Sequence, residues 1–408
     1  MMIRIFCYAV CSFLFFVGVV ANVLGGEVFR LGVIGTTTSH VPAFVKILND
    51  PNAPEQCRGF QVVAAYPGGM PDNAGSWNRV RQYADELEKQ GIRLHNTIES
   101  MLLEIDGVLL ESVDGRPHLE QAKPVINAGK PLFIDKPMAA SLADVLTIFR
   151  LAQEKQVPIF SASSLRFASG FQKARKGELS AGNVIGCDVW SPCSLNEKHP
   201  DLFWYGIHGV ETLFTIMGTG CQSVTRTQTE GTELVVGVWK DGRIGTFRGI
   251  RTGKTGYGAI VFGNKGITDA GSYEGYQPLV VAIAQFFKTG QAPVDPQETI
   301  EIMAFMEAAE QSKTKGVAVS MEQVLREAEN ETTILAHLNI ATAATLTLNN
   351  QPVDVEKLVT TLDALVAGKS NCRVKVILSS QKGTPIEFVQ NVCNHLGNAT
   401  LANFIYEY

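Results

Sequence analysis

Apolar and polar positions fall first into an alternation of short apolar runs and helical spacings. Residues 29–34 form a strand-like run, the turn Gly35-Thr36-Thr37-Thr38-Ser39-His40 follows, and Val41, Phe44, Val45 and Leu48 recur at helical spacing. The succession repeats with a strand at 60–66 and a helix marked by Trp77, Val80, Ala84 and Leu87. An extended segment restarts at 91–94, and a strand at 106–112 precedes a helix running to Ala128. Residues 131–134 form a buried strand between Gly129 and Pro137, Leu142, Val145, Leu146 and Phe149 line a helix, and 157–161 is a last strand. This rhythm over 27–163 predicts an α/β, doubly wound parallel sheet of Rossmann type.

From Leu165 the pattern changes. Strands at 183–191, 221–229, 232–239, 243–250 and 257–262 are rich in β-branched and aromatic residues and mostly joined by short turns, which predicts an antiparallel sheet. Helices are expected at 207–217, about 276–288 and 297–312, so 164–326 reads as an α+β domain with an open-faced sheet. Residues 327–344 are polar and read as a linker. Beyond them come a strand at 345–348, the turn Asn349-Asn350, a helix through Val355, Leu358, Val359, Leu362, Leu365 and Val366, a strand at 373–379, a proline-started helix at 385–396 and a strand at 400–406. Residues 345–408 thus form a small βαβαβ domain.

Composition changes the picture at one place. The 408 residues are 45% hydrophobic and 18% charged with a formal net charge of −5, a balance that gives no footprint for nucleic acid. Residues 1–26 differ: Arg4 precedes an apolar run to Leu24 and then Gly25-Gly26, the pattern of an export signal or, if uncleaved, a membrane anchor. Export to the periplasm or beyond is therefore expected. Cys57, Cys187, Cys193, Cys221, Cys372 and Cys393 show no CxxC pair and no histidine at ligand spacing, so no metal site is expected. Cys372 and Cys393 are expected to lie close enough for a bridge, since the strand leaves the first and the following helix returns towards it.

Candidate chemistry collects at two strand ends. Asp135-Lys136-Pro137 closes the strand at 131–134, where open α/β sheets place ligands, and reads either as a surface pair before a turn or as a ligand site. A lysine held extended there donates hydrogen bonds to a sugar hydroxyl or shuttles a proton. The turn from Gly35 occupies the place where a dinucleotide fold cradles a pyrophosphate, but Thr37 and His40 replace the second and third glycines of the fingerprint. The hydroxyls of Thr36, Thr37, Thr38 and Ser39 either replace backbone donors or, as the simpler reading, cap the helix. The second strand ends in Tyr66-Pro67-Gly68-Gly69, and its first following acid is Asp72, so the usual ribose contact is missing or displaced. His118, at a helix start, either faces the cleft or makes local hydrogen bonds.

With these pieces placed, residues 29 to about 325 resemble the glucose–fructose oxidoreductase, inositol dehydrogenase and MocA (Gfo/Idh/MocA) family. The marks are Gly129-Lys130 and Asp135-Lys136-Pro137, then Ser164-Leu165-Arg166-Phe167, Gly206-Ile207-His208-Gly209-Val210-Glu211, the segment from Tyr276 to Val294, and Glu307-Ala308-Ala309 with Ser312. The resemblance implies a Rossmann domain and an open-faced sheet domain with substrate between them, over a nicotinamide. It implies catalytic roles for Lys136 and His208, and substrate contacts from Asp135, Arg166, Tyr205 and Glu211, the last orienting substrate or imidazole. Gly35, Thr36, Thr37, Thr38, Ser39, His40 and Pro137 would face NAD or NADP, bound weakly because of the altered turn and the missing acid. Trp204 stands where many members have an aspartate. Residues 345–408 resemble the extracytoplasmic domain of ExbD/TolR-type proteins, which implies a docking or dimerisation module. The expectation is an exported oxidoreductase acting by NAD(P)-dependent hydride transfer on a carbohydrate-like small molecule, a sugar or polyol. The alternatives are a cofactor-poor carbohydrate-binding protein or an NAD-using glycosidase or lyase.

Overall fold

The computed structural model describes residues 28–341, 345–367, 372–381, 383–396 and 402–407, so the export segment expected at 1–26 lies outside the described residues. Among the described residues the strands assemble into three sheets. The first contains β1 (Phe29–Ile34), β2 (Phe60–Tyr66), β3 (Arg93–Leu94), β4 (Gly107–Leu110), β5 (Leu132–Asp135) and β6 (Ile159–Ala162), in the order β3-β2-β1-β4-β5-β6. Every neighbour pairs in parallel. β4, β5 and β6 are buried at every position, as expected of strands covered on both faces. The intervening helices are α1 (His40–Leu48), α2 (Ala74–Lys89), α3 (Ile98–Leu102), α4 (His118–Asn127) and α5 (Leu142–Lys155). Thr97 and Ser141 cap α3 and α5, their side chains accepting from Ser100 N and Asp144 N.

A turn at 164–167 and α6 (Ser169–Arg175) lead into the second unit. It contains β7 (Val184–Pro192), α7 (Asp201–Trp204), α8 (Ile207–Met217), β8 (Cys221–Gln228), β9 (Thr232–Trp239), β10 (Ile244–Ile250), β11 (Gly258–Gly263) and β12 (Gly266–Asp269). Next come α9 (Gln277–Thr289), α10 (Pro296–Lys315), β13 (Val319–Ser320) and α11 (Met321–Glu329). Its sheet runs β12-β11-β7-β10-β9-β8-β13. The expected antiparallel sheet is in fact mixed, because β7 and β10 pair in parallel. The chain between them carries two helices and a hairpin, a crossover long enough to reverse direction twice. The boundary at 163/164 is also less clean than expected. Leu279, Val280, Ile283, Ala284, Phe286 and Phe287 of α9 join Leu31, Val33, Phe133 and Phe160 in the core on one face of the first sheet.

The linker expected at 327–344 is not one. α11 ends at Glu329, and Thr332–Ile340 is β14, the middle strand of the third sheet. Ala336, Leu338 and Ile340 alternate into its core. β15 (Leu346–Leu348) returns antiparallel to β14 and pairs with β16 (Gln351–Pro352); β17 (Cys372–Ser380) and β18 (Ala402–Glu407) run parallel to it. Asn349 and Asn350, at φ 50° and 66°, make the hairpin turn. α12 (Leu358–Val366) and α13 (Ile386–Leu396) contribute Leu358, Leu362, Val389, Val392 and Leu396 to its core. Cys393 is a buried, free thiol rather than a bridged one, and the side chain of Cys372 lies outside the described residues.

The third unit docks on the first. Met70, from the loop after β2, joins the core of the third sheet. Lys375 of β17 is 1% exposed and pairs with Glu120 of α4 at 3.2 Å and Asp144 of α5 at 3.5 Å.

Candidate functional site

β1, β4 and β5 are neighbours whose carboxyl ends are level, Ile34 facing Leu110 and Leu110 facing Ile134. Gly35, Glu111 and Asp135-Lys136 therefore emerge at one edge, the ligand edge of such a sheet. Gly35, at φ 87°, admits no side chain, since a Cβ would stand 2.4 Å from Ser112 Oγ. Asp135 and Lys136 are buried, and the Lys136–Pro137 peptide is cis. His118 is engaged by backbone carbonyls of two loops. Its Nδ1 lies 3.2 Å from Met138 O and its Nε2 2.7 Å from Ser112 O, so it ties the loops after β4 and β5 together.

α8 brings His208 from the second unit to this edge. His208 Nδ1 and Ser163 Oγ share a hydrogen bond at 2.8 Å, and Ser163 N donates to Glu211 Oε2 at 2.7 Å. Burial holds the His208 imidazole well below its ordinary pKa, and the positive charge of Lys136 and of His40 pushes the same way, against the opposing pull of Asp135. His208 is thus neutral at neutral pH, able to accept a proton.

The side chains of Arg166 and Glu211, expected at the substrate, pair with each other in a buried charged core. Glu211 Oε1 accepts from Arg166 Nε at 2.7 Å, Glu298 accepts from Arg166 Nη1 at 2.5 Å and from Arg175, and all three residues in this core are buried. Both Glu211 oxygens are consumed by Arg166 and Ser163. Glu211 is thus linked to His208 through Ser163. Trp204 packs against His199 at 4.4 Å between ring centroids, and His199 pairs with Asp114.

Tyr205 does reach the site, with its ring centroid 5.2 Å from that of His208. It hydrogen-bonds with Tyr257, whose ring lies 6.0 Å from His208. Tyr257, Tyr273 and Tyr276 follow at 5.9 Å steps, and Tyr276 lies 4.8 Å from His40. This phenol row spans from one histidine to the other, with the hydroxyls of Tyr273 and Tyr276 also tied to Ser164 and Ser39. Burial, then neighbouring phenols, raises the pKa of Tyr257 and Tyr276, so both remain neutral donors. Aromatic walls with a few convergent polar groups are the usual lining of a small-molecule site. Tyr257, Tyr273 and Glu111 carry no sequence motif; Ser163 stands next to Ser164-Leu165-Arg166-Phe167, and Tyr276 opens the segment from Tyr276 to Val294 without having been singled out for the site.

At the other end of the edge, the side chains of the expected dinucleotide turn are engaged within the protein. Thr36 Oγ1 donates to Val80 O at 2.9 Å, and Thr37 Oγ1 accepts from Val113 N at 2.9 Å, so both hydroxyls serve the protein interior. Neither caps α1; Thr38 Oγ1 accepts from His40 N at 3.3 Å, and the N-cap Ser39 makes no side-chain cap bond. The loop from Gly68 to Asn73 is buried. Asp72 is bound at 2.9 Å by both terminal nitrogens of Arg116, so it is not free for a ribose. His40, at the third glycine position, gives Nδ1 to Asp135 Oδ2 at 2.7 Å instead of facing phosphate. Gly35 fits a pyrophosphate; Thr36, Thr37, His40 and Asp72 are engaged elsewhere.

Known proteins agree with the architecture. Residues 29–163 match the family described as "Oxidoreductase family, NAD-binding Rossmann fold" (GFO_IDH_MocA). The chain is 27% identical over 113 residues to the oxidoreductase YhhX of Escherichia coli (strain K12), a match covering 25% of this chain and about a third of that protein, 32%. A Thermotoga maritima protein described as a dehydrogenase superposes with a TM-score of 0.60 at 19% identity, covering 72% of this chain and 100% of its own. The Lactobacillus casei scyllo-inositol dehydrogenase, solved with NAD(H) and scyllo-inositol, superposes at 0.58 with 14% identity, over 72% and 100%. At these identities the superpositions establish the fold, and the family match covers the first unit. Residues 29–163 thus match the Rossmann domain of the Gfo/Idh/MocA oxidoreductase family, and beyond them the likeness is one of fold.

Proposed function

We propose that the cleft between the first two sheets takes a polyhydroxylated small molecule, a sugar or polyol, and that Lys136 and His208 are its acid/base pair in an oxidoreductase of this family. The observation that carries this reading is the convergence of Lys136 and His208, from separate units, into one buried charged cluster walled by four tyrosines. A neutral imidazole at His208 accepts the proton of a substrate hydroxyl, and Lys136 donates a hydrogen bond to an oxygen, stabilising negative charge as it develops. Ser163, held by Glu211, fixes the ring. The nicotinamide of NAD or NADP supplies hydride chemistry in relatives such as the inositol enzyme. In this chain we propose that its binding is weak, and no step is assigned to it.

A second reading, a carbohydrate-binding protein with little affinity for the dinucleotide, is favoured by one specific observation: Asp72 and the threonine hydroxyls are spent within the protein. We further propose that the chain is exported, on the strength of residues 1–26, and that the third unit serves as a docking module. Titrating a panel of sugars and polyols into the full chain, then repeating with NAD+ or NADP+ and following absorbance at the reduced nicotinamide, tests the proposal. Saturable polyol binding with slow turnover supports the oxidoreductase; binding without turnover supports the second reading. Absence of binding across the panel overturns both.

A further inference from the structure

Glu111 follows β4 directly and is fully buried, and neither of its carboxylate oxygens has a hydrogen-bond partner. Its neighbour Asp135 gives one oxygen to His40, and the other, Oδ1, is buried without a partner. An ionised carboxylate taken out of water without a donor is costly, and a second one beside it raises the cost. Three adjacent strands thus deliver an imidazole and two carboxylates to one spot, with a ligand atom from each lying within 4.8 Å of the others.

We propose that His40, Glu111 and Asp135 hold a divalent transition-metal cation of the zinc or manganese class at the carboxyl edge of the first sheet. The donor set suits such an ion, since imidazole and carboxylate together favour borderline to hard divalent metals. Ligand atoms at about 2.0–2.2 Å from one ion stand roughly 3–4 Å apart, so small side-chain rotations close the site. His40 exchanges its hydrogen bond with Asp135 for the metal, and the orphaned oxygens of Glu111 and Asp135 gain the positive partner they lack. Three protein ligands leave a coordination position for water or for a substrate oxygen. Lys136 lies near enough to act electrostatically on both carboxylates, which tempers the affinity without hydrogen-bonding either Glu111 oxygen. No spacing in the sequence announces such a site, because positions 40, 111 and 135 meet only when β1, β4 and β5 pair. The inference does not depend on the polyol reading, since it concerns a cation added alone.

The test is calorimetric titration of the chelator-treated full chain with ZnCl2 and, separately, MnCl2, with thermal melts in parallel. One equivalent of cation is expected to bind and to raise the melting temperature. Glu111→Gln keeps the side-chain shape and removes a buried charge, so it is expected to melt no lower than the wild type without metal, yet to bind metal at least about a hundredfold more weakly. Asp135→Asn should also weaken binding, and serves as the second variant should Glu111→Gln fold poorly. Lack of heat and of any thermal shift for the folded wild type with millimolar quantities of either cation would overturn the site. So would wild-type affinity in folded Glu111→Gln, which marks an adventitious ion bound elsewhere.

Discussion

The ends of β1 and β5 lie on the same edge of one parallel sheet, yet their side chains are committed in opposite ways. At β5, Lys136 is buried among charged and ring groups that converge from both units. At β1, the side chains of Thr36, Thr37 and His40 are satisfied within the protein, by Val80, Val113 and Asp135. The loop after β2 lies buried beside them, pinned by Asp72–Arg116 and packed through Met70 against the third unit. On the proposed reading, an acid/base end stands beside a turn whose side chains are spent within the protein. Polar groups aimed into a cleft mark recognition, whereas polar groups satisfied by backbone mark structure.

The sharpest way to break this contrast is at the acid/base end. Lys136→Ala and His208→Ala should each lower turnover about 10²–10⁴-fold on a confirmed substrate, with folding retained by circular dichroism. Rates near wild type in both would remove the distinction, leaving neither strand end with assigned chemistry.

The two ends also differed in how far sequence reasoning reached them. Lys136 and His208 were legible because each sits in a short motif, in an order shared over most of the chain. Glu111 was not, because an acid in Glu111-Ser112-Val113-Asp114-Gly115 looks like an ordinary loop residue, and only strand pairing reveals that it is sealed from water. Tyr257 and Tyr273 lie in glycine-rich connections whose paths are set by tertiary packing. The strand at 332–340 departs from the linker expected at 327–344 on its polar composition. Its alternation at Ile334, Ala336, Leu338 and Ile340 is a period-two signal that was present throughout. The parallel pairing of β7 with β10 depends on a long crossover that local pattern does not determine.

At the filled end, the third unit is expected to contribute to the closure. Lys375→Ala removes a cation from beside buried Asp144, while Glu120 keeps Lys123, so the loss is expected at or below the about 3–5 kcal/mol of breaking a fully buried pair. Urea unfolding should show the loss, and limited proteolysis should cut near 327–341 sooner than in the wild type. Unchanged stability would mean that the third unit rests on the first without holding it.

Dinucleotide affinity measures the contrast itself. Each charge-assisted hydrogen bond lost at the turn and at the ribose acid costs on the order of 1.5–3 kcal/mol. Two such losses weaken NAD(P) by roughly a hundredfold or more, at about 1.4 kcal/mol per decade. Calorimetry on the full chain should therefore find weak binding. Sub-micromolar affinity would show that the turn opens to admit the dinucleotide, and the two ends would then work together.

The smallest expected effect lies in the pH dependence of stability, and it separates His208 from Glu111 by sign. His208, at the open end, is held neutral in the folded protein by burial, then by Lys136 and His40, with Asp135 opposing; Ser163, Tyr205 and Tyr257 are its other neighbours. In the unfolded chain the same imidazole titrates near an ordinary histidine pKa of about 6.5. As pH falls through that value the unfolded state takes up a proton that the folded state refuses, so stability drops, by up to about 1.4 kcal/mol per pH unit for one proton. Glu111 acts in the opposite sense. Its pKa is raised well above the usual carboxylate range, first by burial and then by Asp135, so the folded state takes up its proton before the unfolded state does. That relieves the folded protein as pH falls towards the ordinary carboxylate value. Urea midpoints for the metal-free wild type, His208→Gln and Glu111→Gln, measured from pH 7.5 to pH 5, separate the contributions. His208→Gln should flatten the loss near about pH 6.5, whereas Glu111→Gln should stabilise the protein most at neutral pH and less as the medium becomes acidic. A wild-type slope in His208→Gln would mean that the imidazole is free to ionise in the fold, and the base assigned to the open end would lose its physical ground.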